Sequence, residues 1–390
     1  MKILLLTDGI YPYTMGGMAK HSFYLAKYLS LSGQQVHLVH CKPAAEENLT
    51  PEFQGFDLEN ISFQSFPFPS KGKFPGHYLW ENKTYSQAIW ENLKDKIADF
   101  DLIYAQGFTG WPFVREAQRG NLSVPVFLNL HGYEMFQKPP SLRVMLEHRL
   151  LRGMAKYLSL HSDFVFSFGG KISQLLKEQG ISEEKILENP IGIEAGWLVE
   201  NPKKSTALRK FIFIGRYERR KGVPEISAAL RQILAENTPE FEFHFIGPIP
   251  EAHRILAPQI IYHGEIKSAE KVQEILRTGD ILVCPSHSEG MPTVIMEAMA
   301  SGLALLVTDV GAVSRQYAEN GWLISHPDVA LLKTAMLEAI YLDPEKLDTF
   351  KIHSLHHVKQ NFIWSEVVKR KIKNFDFALA KFHKNKYQPV

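Results

Sequence analysis

Cysteine, charge of one sign and long apolar runs are all scarce in this chain of 390 residues. Two cysteines, Cys41 and Cys284, are too few for a disulfide framework. Because both end apolar, strand-like runs, we expect buried thiols in a reducing, cytoplasmic compartment. A net charge of +2 supplies no broad basic field and argues against nucleic acid as a partner. No segment approaches the roughly 20 apolar residues of a membrane-spanning helix, so any membrane contact would be peripheral, at the inner face.

Length and apolar content indicate how many domains the chain forms. With 45% hydrophobic residues, a chain of this length can bury large cores and should divide into about two domains. The apolar run at the amino terminus stops at Asp8, too early for the hydrophobic region of a signal peptide. We therefore predict that it is the first buried strand.

Short apolar runs alternate with helical patterns along both halves of the chain, which predicts an α/β fold with parallel, doubly wound sheets. In the first half the predicted strands are 3–6, 35–41, 102–105, 126–130 and 164–167. The pattern restarts in the second half with predicted strands at 211–215, 241–247, 260–263, 281–284 and 304–308. In the simplest arrangement the two sheets face each other across a cleft. Residues 188–209 lack a clean period and contain several prolines and glycines, so they predict a linker.

The segment 286–302 is the most informative about function. It follows the predicted strand 281–284 and leads into a predicted helix at 293–300, with Glu289 on the loop and Glu297 one turn into the helix. Ligands of open α/β sheets bind beyond the carboxyl ends of strands, where helix amino termini attract anions. Two carboxylates there can hold hydroxyls while the backbone holds an anion, a layout that suits a phosphorylated sugar.

Two further strand-to-helix loops carry residue types that bind phosphate. Gly16 and Gly17 stand where the loop after the first strand meets a helical stretch, although a plain turn would also account for them. In the second half, Gly215 to Gly222 contain Arg216 and Lys221, which can reach one phosphate from two sides. Arg219 and Arg220 are interpreted as a solvated basic turn.

These motifs together resemble the retaining nucleotide-sugar glycosyltransferases of family 4. The resemblance is carried by Gly16-Gly17, by Gly215-Arg216 followed by Lys221-Gly222, and by Glu289-Gly290-Met291-Pro292 with Glu297. It covers nearly the whole chain and implies the GT-B fold, in which two Rossmann-like domains face each other across a cleft. The implied domains are 1–190, on the acceptor side, and 191–361, which binds the nucleotide sugar. A carboxyl-terminal helix at about 362–385 would cross back to the first domain.

The resemblance also assigns roles to individual residues. It implies catalytic roles for His131, Arg216, Lys221 and Glu289, with the two cations binding the donor diphosphate and Glu289 holding hydroxyls of the sugar. His131, at a strand end, would lie against the transferred sugar, although a lone histidine is more often structural. Tyr133 and Glu134 would lie on the acceptor side. The implied donor-binding residues are Gly16, Gly17, Gly247, Ile266, Gly290, Met291, Pro292, Thr293 and Glu297.

The predicted activity is therefore sugar transfer with retention from a nucleotide diphosphate sugar to an acceptor hydroxyl, in polysaccharide or glycolipid biosynthesis. The resemblance implies no metal and no cofactor, a UDP-sugar rather than a GDP- or ADP-sugar, and a glycan, lipid-linked or small-molecule acceptor. A sugar-nucleotide epimerase of the same fold and a non-catalytic nucleotide- or glycan-binding protein remain alternatives. A nicotinamide dehydrogenase is disfavoured because the first loop lacks Gly-x-Gly-x-x-Gly.

Two segments could contact a membrane surface. Residues 63–80 are rich in aromatic side chains, proline and lysine, and are interpreted as an ordered surface loop with acceptor or membrane contact as the alternative. Residues 141–160 combine arginines with leucines in a helical pattern. We interpret that pattern as a helix with a solvated face, with a lipid-facing helix as the alternative.

Overall fold

The computed structural model describes residues 1–14, 16–42, 55–70, 72, 76–137, 139 and 141–386, without the side chains of residues 42, 143, 385 and 386. The chain divides into two compact units, Met1–Gly192 with Trp364–Val390, and Ile193–Ile363. Part of the predicted aromatic loop, residues 71 and 73–75, lies outside the described residues.

The first unit is built on a parallel sheet of seven strands in the order β3-β2-β1-β4-β5-β6-β7. Ile3 of β1 is aligned with Val36 of β2 and with Leu102 of β4, and all three side chains are buried. The strand order reverses between β1 and β4, which is where ligands of such sheets bind. The strands are Lys2–Leu6 (β1), Gln35–Lys42 (β2), Ile61–Pro67 (β3), Leu102–Gln106 (β4), Val126–Asn129 (β5), Phe164–Ser167 (β6) and Ile186–Glu188 (β7).

The second unit is built on a parallel sheet of six strands in the order β10-β9-β8-β11-β12-β13. Its order reverses between β8 and β11. Phenylalanines of β8 and β9 fill the core; the rings of Phe213 and Phe245 lie 5.8 Å apart. The strands are Arg209–Ile214 (β8), Phe241–Ile246 (β9), Ile260–Gly264 (β10), Ile281–Cys284 (β11), Ala304–Thr308 (β12) and Gly321–Ile324 (β13).

Helices connect most of the successive strands in both units, as is usual for parallel pairing, and three more helices follow β13. They are Gly17–Leu31 (α1), His77–Leu93 (α2), Trp111–Gln118 (α3), Leu142–His161 (α4), Lys171–Glu178 (α5), Val223–Leu234 (α6), Ala269–Thr278 (α7), Thr293–Ala300 (α8), Val329–Tyr341 (α9), Pro344–Asn361 (α10) and Trp364–Lys386 (α11). The last of these, α11, belongs to the first unit and contacts α1. Within the described part of the chain, no helix is both long enough and apolar enough to cross a membrane.

The structure confirms the predicted alternation of strands and helices and places α8 at the predicted residues. It adds three strands that were not predicted, namely β3, β7 and β13. The interpretation of residues 63–80 as a loop is wrong at both ends, because Ile61–Pro67 forms an edge strand and α2 begins at His77. As an edge strand, β3 mixes exposed and partly buried side chains and so lacks the apolar run by which the buried strands were recognised.

Candidate active site

Glu289 lies at the reversal of strand order in the second unit, on the loop between β11 and α8. Its side chain is only 7% exposed, and three groups donate hydrogen bonds to it. Lys221 Nζ lies 2.6 Å from Oε1, Ser286 Oγ lies 2.8 Å from Oε1, and Arg220 Nη1 lies 3.1 Å from Oε2. Nε of Arg220 also lies 3.4 Å from the carboxylate of Glu218, which pairs with Arg216. Three cations therefore face two carboxylates and leave a net excess of one positive charge at the carboxyl edge of the sheet. Such an excess suits a bound anion.

The structure corrects the interpretation of Arg220 as a residue of a solvated turn. Residues Arg219–Lys221 form one turn of 3-10 helix, which carries both Arg220 and Lys221 towards the loop after β11. The backbone N–H of His287 donates to the carbonyl of Arg220 at 2.7 Å and fixes the two loops together. Arg219, whose side chain is 49% exposed, instead pairs with Glu225.

Arg216 lies outside this cluster. Its side chain is 73% exposed, and one guanidinium nitrogen lies 2.9 Å from the carboxylate of Glu218. Exposed ion pairs of this kind contribute at most about 1 kcal/mol, so a stronger anion can displace Glu218 from the guanidinium. Of the two predicted diphosphate ligands, the structure therefore brings Lys221 to Glu289 and leaves Arg216 at the surface of the same turn.

Two glycines are required where neighbouring segments of the second unit pack against the loop after β11. Gly222 has a φ of +73°, and a Cβ placed there would lie 2.1 Å from the carbonyl oxygen of Pro285. A Cβ on Gly311 would lie 2.1 Å from the carbonyl oxygen of Glu289, on the other side of the same loop. Any side chain at either position would therefore push the Glu289 loop away from its neighbours.

The other predicted donor-binding residues of the second unit lie on its strand ends and loops. Met291 and Pro292 are buried beneath the loop, and the carbonyl of Gly290 accepts a hydrogen bond from the N–H of Ala312 at 2.8 Å. Thr293 begins α8, and Glu297 is partly exposed on that helix. Gly247 follows β9, and Ile266 lies in the segment after β10. Glu297 and Thr293 thus lie on the helix that follows β11, next to the reversal point, whereas Ile266 follows the edge strand β10.

In the first unit, the loop after β1 brings Gly16 and Gly17 to the start of α1. Both are exposed, and a Cβ at either would meet nothing within 4 Å. Gly17 opens the helix, and no side chain caps its free N–H groups. An anion can therefore approach this helix end closely.

His131 follows β5 and has a left-handed backbone with φ of 59°. Its Nε2 lies 3.0 Å from Oε1 of Gln106, and its backbone N–H donates to Oδ1 of Asn129 at 2.9 Å. With the amide of Gln106 oriented as in the structure, its Oε1 accepts from Nε2–H, which leaves Nδ1 as the accepting atom of the neutral ring. Burial, and then the nearby positive charge of Lys371, lower the pKa of His131 to about 3. At neutral pH the ring is uncharged.

A buried lysine is linked to His131 through a chain of hydrogen bonds. Lys371 of α11 is 1% exposed, and its Nζ donates to the hydroxyl of Tyr104 at 2.9 Å. The side-chain amide of Asn129 donates to the same hydroxyl at 2.9 Å. A continuous chain of hydrogen bonds therefore runs from α11 through Tyr104 and Asn129 to the backbone of His131. Burial lowers the pKa of Lys371 well below its ordinary value.

The two predicted acceptor-side residues differ in their placement. Tyr133 is 1% exposed and its hydroxyl bonds to that of Ser159 at 2.9 Å, so its side chain lies in the core, and an acceptor-side role for it stays a prediction. The left-handed backbone at Tyr133, with φ of 50°, turns its ring into the core. Glu134 begins a single 3-10 turn and is partly exposed.

Sequence reasoning missed His21 and Asp8. His21 is buried on α1, and its ring meets that of His131 edge-on, with centroids 5.0 Å apart. In the sequence, the only indication that His21 belongs to the site is its position four residues after Gly17. Asp8 follows β1, beside the reversal of strand order in the first unit. Its Oδ2 accepts a hydrogen bond from the hydroxyl of Tyr78 at 3.1 Å.

Because the carboxyl group of Asp8 is largely buried, the free energy of unfolding should fall as the pH rises. Burial raises its pKa from 3.8 to about 6, so the native state favours the protonated form. As pH rises from about 4 to 6, the unfolded chain loses this proton before the native state does, and the free energy of unfolding falls. We expect Asp8→Asn to remove this penalty and to stabilise the protein by about 1 to 3 kcal/mol at pH 8.

Urea unfolding at pH 8 and pH 4.5 tests this expectation. Asp8→Asn should increase the free energy of unfolding more at pH 8 than at pH 4.5. The control Asp376→Asn, at an exposed position, should leave the unfolding transition unchanged at both pH values. An equal effect of Asp8→Asn at both pH values would contradict the raised pKa.

The chain matches two families of known proteins, one in each half. The family described as Glycosyltransferase Family 4 matches residues 15–195, and the family described as Glycosyl transferases group 1 matches residues 209–341. The chain therefore belongs to the glycosyltransferases of the family 4 type. One match falls in the first unit, with Gly16, Gly17 and His131. The other falls in the second unit, with Lys221 and Glu289.

Relatives and solved structures agree with this assignment. This glycosyltransferase is 26% identical over 281 residues to the putative teichuronic acid biosynthesis glycosyltransferase TuaC of Bacillus subtilis, covering 68% of this chain and 67% of that protein. It is 21% identical to the MMP alpha-(1->4)-mannosyltransferase of Mycolicibacterium hassiacum, covering 94% and 96% of the two chains. A sucrose-phosphate synthase from Thermosynechococcus elongatus shares the fold, with a TM-score of 0.77, 18% identity, and coverage of 97% and 99%. The α/β fold is that of the GT-B glycosyltransferases.

Proposed function

We propose that this glycosyltransferase transfers a sugar, with retention of anomeric configuration, from a nucleotide diphosphate donor to an acceptor hydroxyl of a cell-envelope polysaccharide or glycolipid. A UDP-sugar is the proposed donor, and neither metal nor cofactor is required. The proposal rests on the cluster in which Lys221 and Arg220 surround the buried carboxylate of Glu289. The printed name of the Bacillus subtilis relative, which refers to teichuronic acid biosynthesis, supports an envelope polymer as the product.

In the proposed mechanism the second unit binds the donor diphosphate. Lys221 is held in place by Glu289, and Arg216 exchanges its exposed contact with Glu218 for a phosphate oxygen. As the bond from the sugar to the diphosphate breaks, negative charge develops on the leaving oxygen. Fixed cations stabilise that charge because they need not reorganise during the reaction.

Glu289 is poorly suited to act as a nucleophile. Both of its carboxylate oxygens accept hydrogen bonds, from Lys221 and Ser286 on one oxygen and from Arg220 on the other. These contacts stabilise the charge and lower its nucleophilicity. We propose instead that the acceptor attacks on the face from which the diphosphate leaves, and that a leaving phosphate oxygen takes the acceptor's proton.

His131 is proposed to position a hydroxyl through its accepting Nδ1. Its pKa, lowered to about 3, makes the ring too weak a base to remove a proton efficiently near neutral pH. The weak basicity of His131 is consistent with the proposal that the leaving phosphate, and not this ring, takes the acceptor's proton. Activity should therefore show no ionisation of His131 between pH 5 and 8.

Ligand-dependent thermal unfolding tests the donor assignment. A ligand at about 100 times its dissociation constant adds roughly 2.7 kcal/mol to the native state. We expect UDP to raise the unfolding temperature more than GDP or ADP, in the presence of a chelator, and we expect Arg216→Ala to abolish the increase. Arg231→Ala, an exposed arginine on α6, is the matched control and should keep it. The diphosphate site would be contradicted if no nucleotide shifted the transition or if Arg216→Ala retained the full shift.

A further inference from the structure

The amino-terminal half of α4 presents a row of apolar side chains to solvent. Leu142 is 77% exposed, Met145 38%, Leu146 61% and Leu150 51%. The spacing of three and four residues places these side chains on one face of the helix. Among the described residues, the other strongly exposed large apolar side chains are scattered, with no more than two on any one helix: Leu31, Leu58, Leu256, Leu331, Tyr341, Ile352 and Phe377.

The exposed face is rigidly held. At the carboxyl-terminal half of the helix, Ala155 and Leu158 are buried in the core of the first unit. The Nε–H of Arg152 donates to the carbonyl of Met135 at 2.7 Å. At the other end, the hydroxyl of Ser141 caps the helix by accepting from the N–H of Val144 at 3.3 Å. The apolar row is therefore fixed on an anchored helix, and its exposure is not a consequence of a loose segment.

Positive charge accompanies the apolar row. The sequence of α4 contains Arg143, Arg149, Arg152 and Lys156 against the single acid Glu147, which gives four positive charges minus one negative charge, a net of +3. Arg149 and Lys156 are exposed, and Arg149 lies three residues after Leu146, on the same face. Leucines beside arginine and lysine on a stable helix are typical of helices that lie in the surface of a membrane.

We propose that this face of α4, defined by Leu142, Met145, Leu146, Arg149, Leu150 and Lys156, docks onto the surface of an anionic lipid bilayer. The leucines and methionine enter the boundary between headgroups and acyl chains, while Arg149 and Lys156 contact anionic headgroups. A second copy of the chain is a poorer occupant. Two identical basic faces brought together would place positive charges opposite one another.

Docking of this kind is independent of the donor site and would bring the first unit to lipid-linked acceptors. Its strength should depend on anionic lipid and on salt, because surface charge attracts basic residues only within a Debye length. Each basic residue near the surface should strengthen binding about fivefold, which corresponds to about 1 kcal/mol.

Vesicle flotation with the full-length protein tests the proposal. We expect the protein to float with vesicles of phosphatidylcholine and phosphatidylglycerol, and to remain unbound with phosphatidylcholine alone. Leu146→Ser combined with Leu150→Ser should weaken binding about tenfold or more. Arg149→Gln combined with Lys156→Gln should weaken it about 25-fold at low salt, from two residues at about fivefold each.

Matched variants on the second unit provide the controls. Leu256→Ser combined with Leu331→Ser also replaces two exposed leucines, and Lys204→Gln removes an exposed lysine; both should bind vesicles as the wild type does. The nucleotide-induced rise in unfolding temperature should persist in the α4 variants, which separates failed docking from a failed donor site.

Three outcomes would overturn the proposal. The first is absence of binding to the anionic vesicles, and the second is binding that survives both α4 variants unchanged. The third is concentration-dependent dimerisation in solution that the Leu146→Ser and Leu150→Ser variant abolishes, since it would show that a second copy covers this face.

Discussion

Glu289→Gln is expected to slow sugar transfer by roughly 10- to 150-fold, because a hydrogen bond to a charged group is worth about 1.5 to 3 kcal/mol. In the structure this carboxylate accepts from Lys221, Arg220 and Ser286. A glutamine side chain keeps only one accepting oxygen. Its NH₂ group would face a cation where the second carboxylate oxygen of Glu289 had been. The substitution should therefore displace Lys221 or Arg220, and the loss should appear in kcat at saturating donor.

The matched control is Glu236→Gln, another glutamate of the second unit that pairs with a lysine. Its side chain is 41% exposed and it contacts Lys333, away from the Glu289 loop. This variant should transfer sugar at the wild-type rate. Wild-type turnover by Glu289→Gln, in protein whose unfolding transition is unchanged, would rule out the electrostatic role of the carboxylate.

The sequence predicts those parts of the fold in which one physical effect dominates. Strand β11, and strands β1 and β8 after their first one or two residues, are continuous apolar runs because helices cover both faces of a parallel sheet. Helix α8 could be predicted because good helix formers lie between Pro292 and Gly302. Strand β13 was missed because it is short and three of its four residues are only partly buried, so neither alternation nor a continuous run marks it.

The site was predictable at the level of loops but not of individual contacts. Glu289 and Lys221 both lie at strand-to-helix turns, and the structure places their charged atoms 2.6 Å apart. Arg219 and Arg220 could not be distinguished in the sequence, because only the 3-10 turn determines which guanidinium faces the carboxylate. Lys371 gave no signal at all. It is one lysine in a lysine-rich helix, and its burial depends on the packing of α11 against the core.

The largest expected effect on stability concerns a buried ion pair below the donor site. Lys351 of α10 and Asp280, which stands immediately before β11, have fully buried side chains, with Nζ 2.5 Å from Oδ1. The Nζ also donates to the carbonyl of Lys203 at 3.0 Å, and Oδ2 of Asp280 accepts from the N–H of Lys210 at 2.9 Å. The pair therefore connects α10, the segment before β8 and the start of β11. Burial lowers the pKa of Lys351, which reflects the cost of keeping its charge away from water.

Lys351→Met is expected to destabilise the second unit by about 3 kcal/mol, the lower end of the cost of breaking a buried ion pair, because the carboxylate of Asp280 then keeps only the partly exposed Lys203, whose Nζ lies 3.9 Å away. Since a domain is stable by only about 5 to 15 kcal/mol, β11 should lose much of its protection against hydrogen exchange. The double variant Lys351→Met with Asp280→Asn should recover a large part of that protection, because it removes the uncompensated charge. Hydrogen exchange followed by mass spectrometry on peptides from β11 and β1 separates the two units. Equal protection of β11 against hydrogen exchange in the wild type and in Lys351→Met would show that Asp280 finds another partner. It would also show that the ion pair does not stabilise β11 beneath the Glu289 loop.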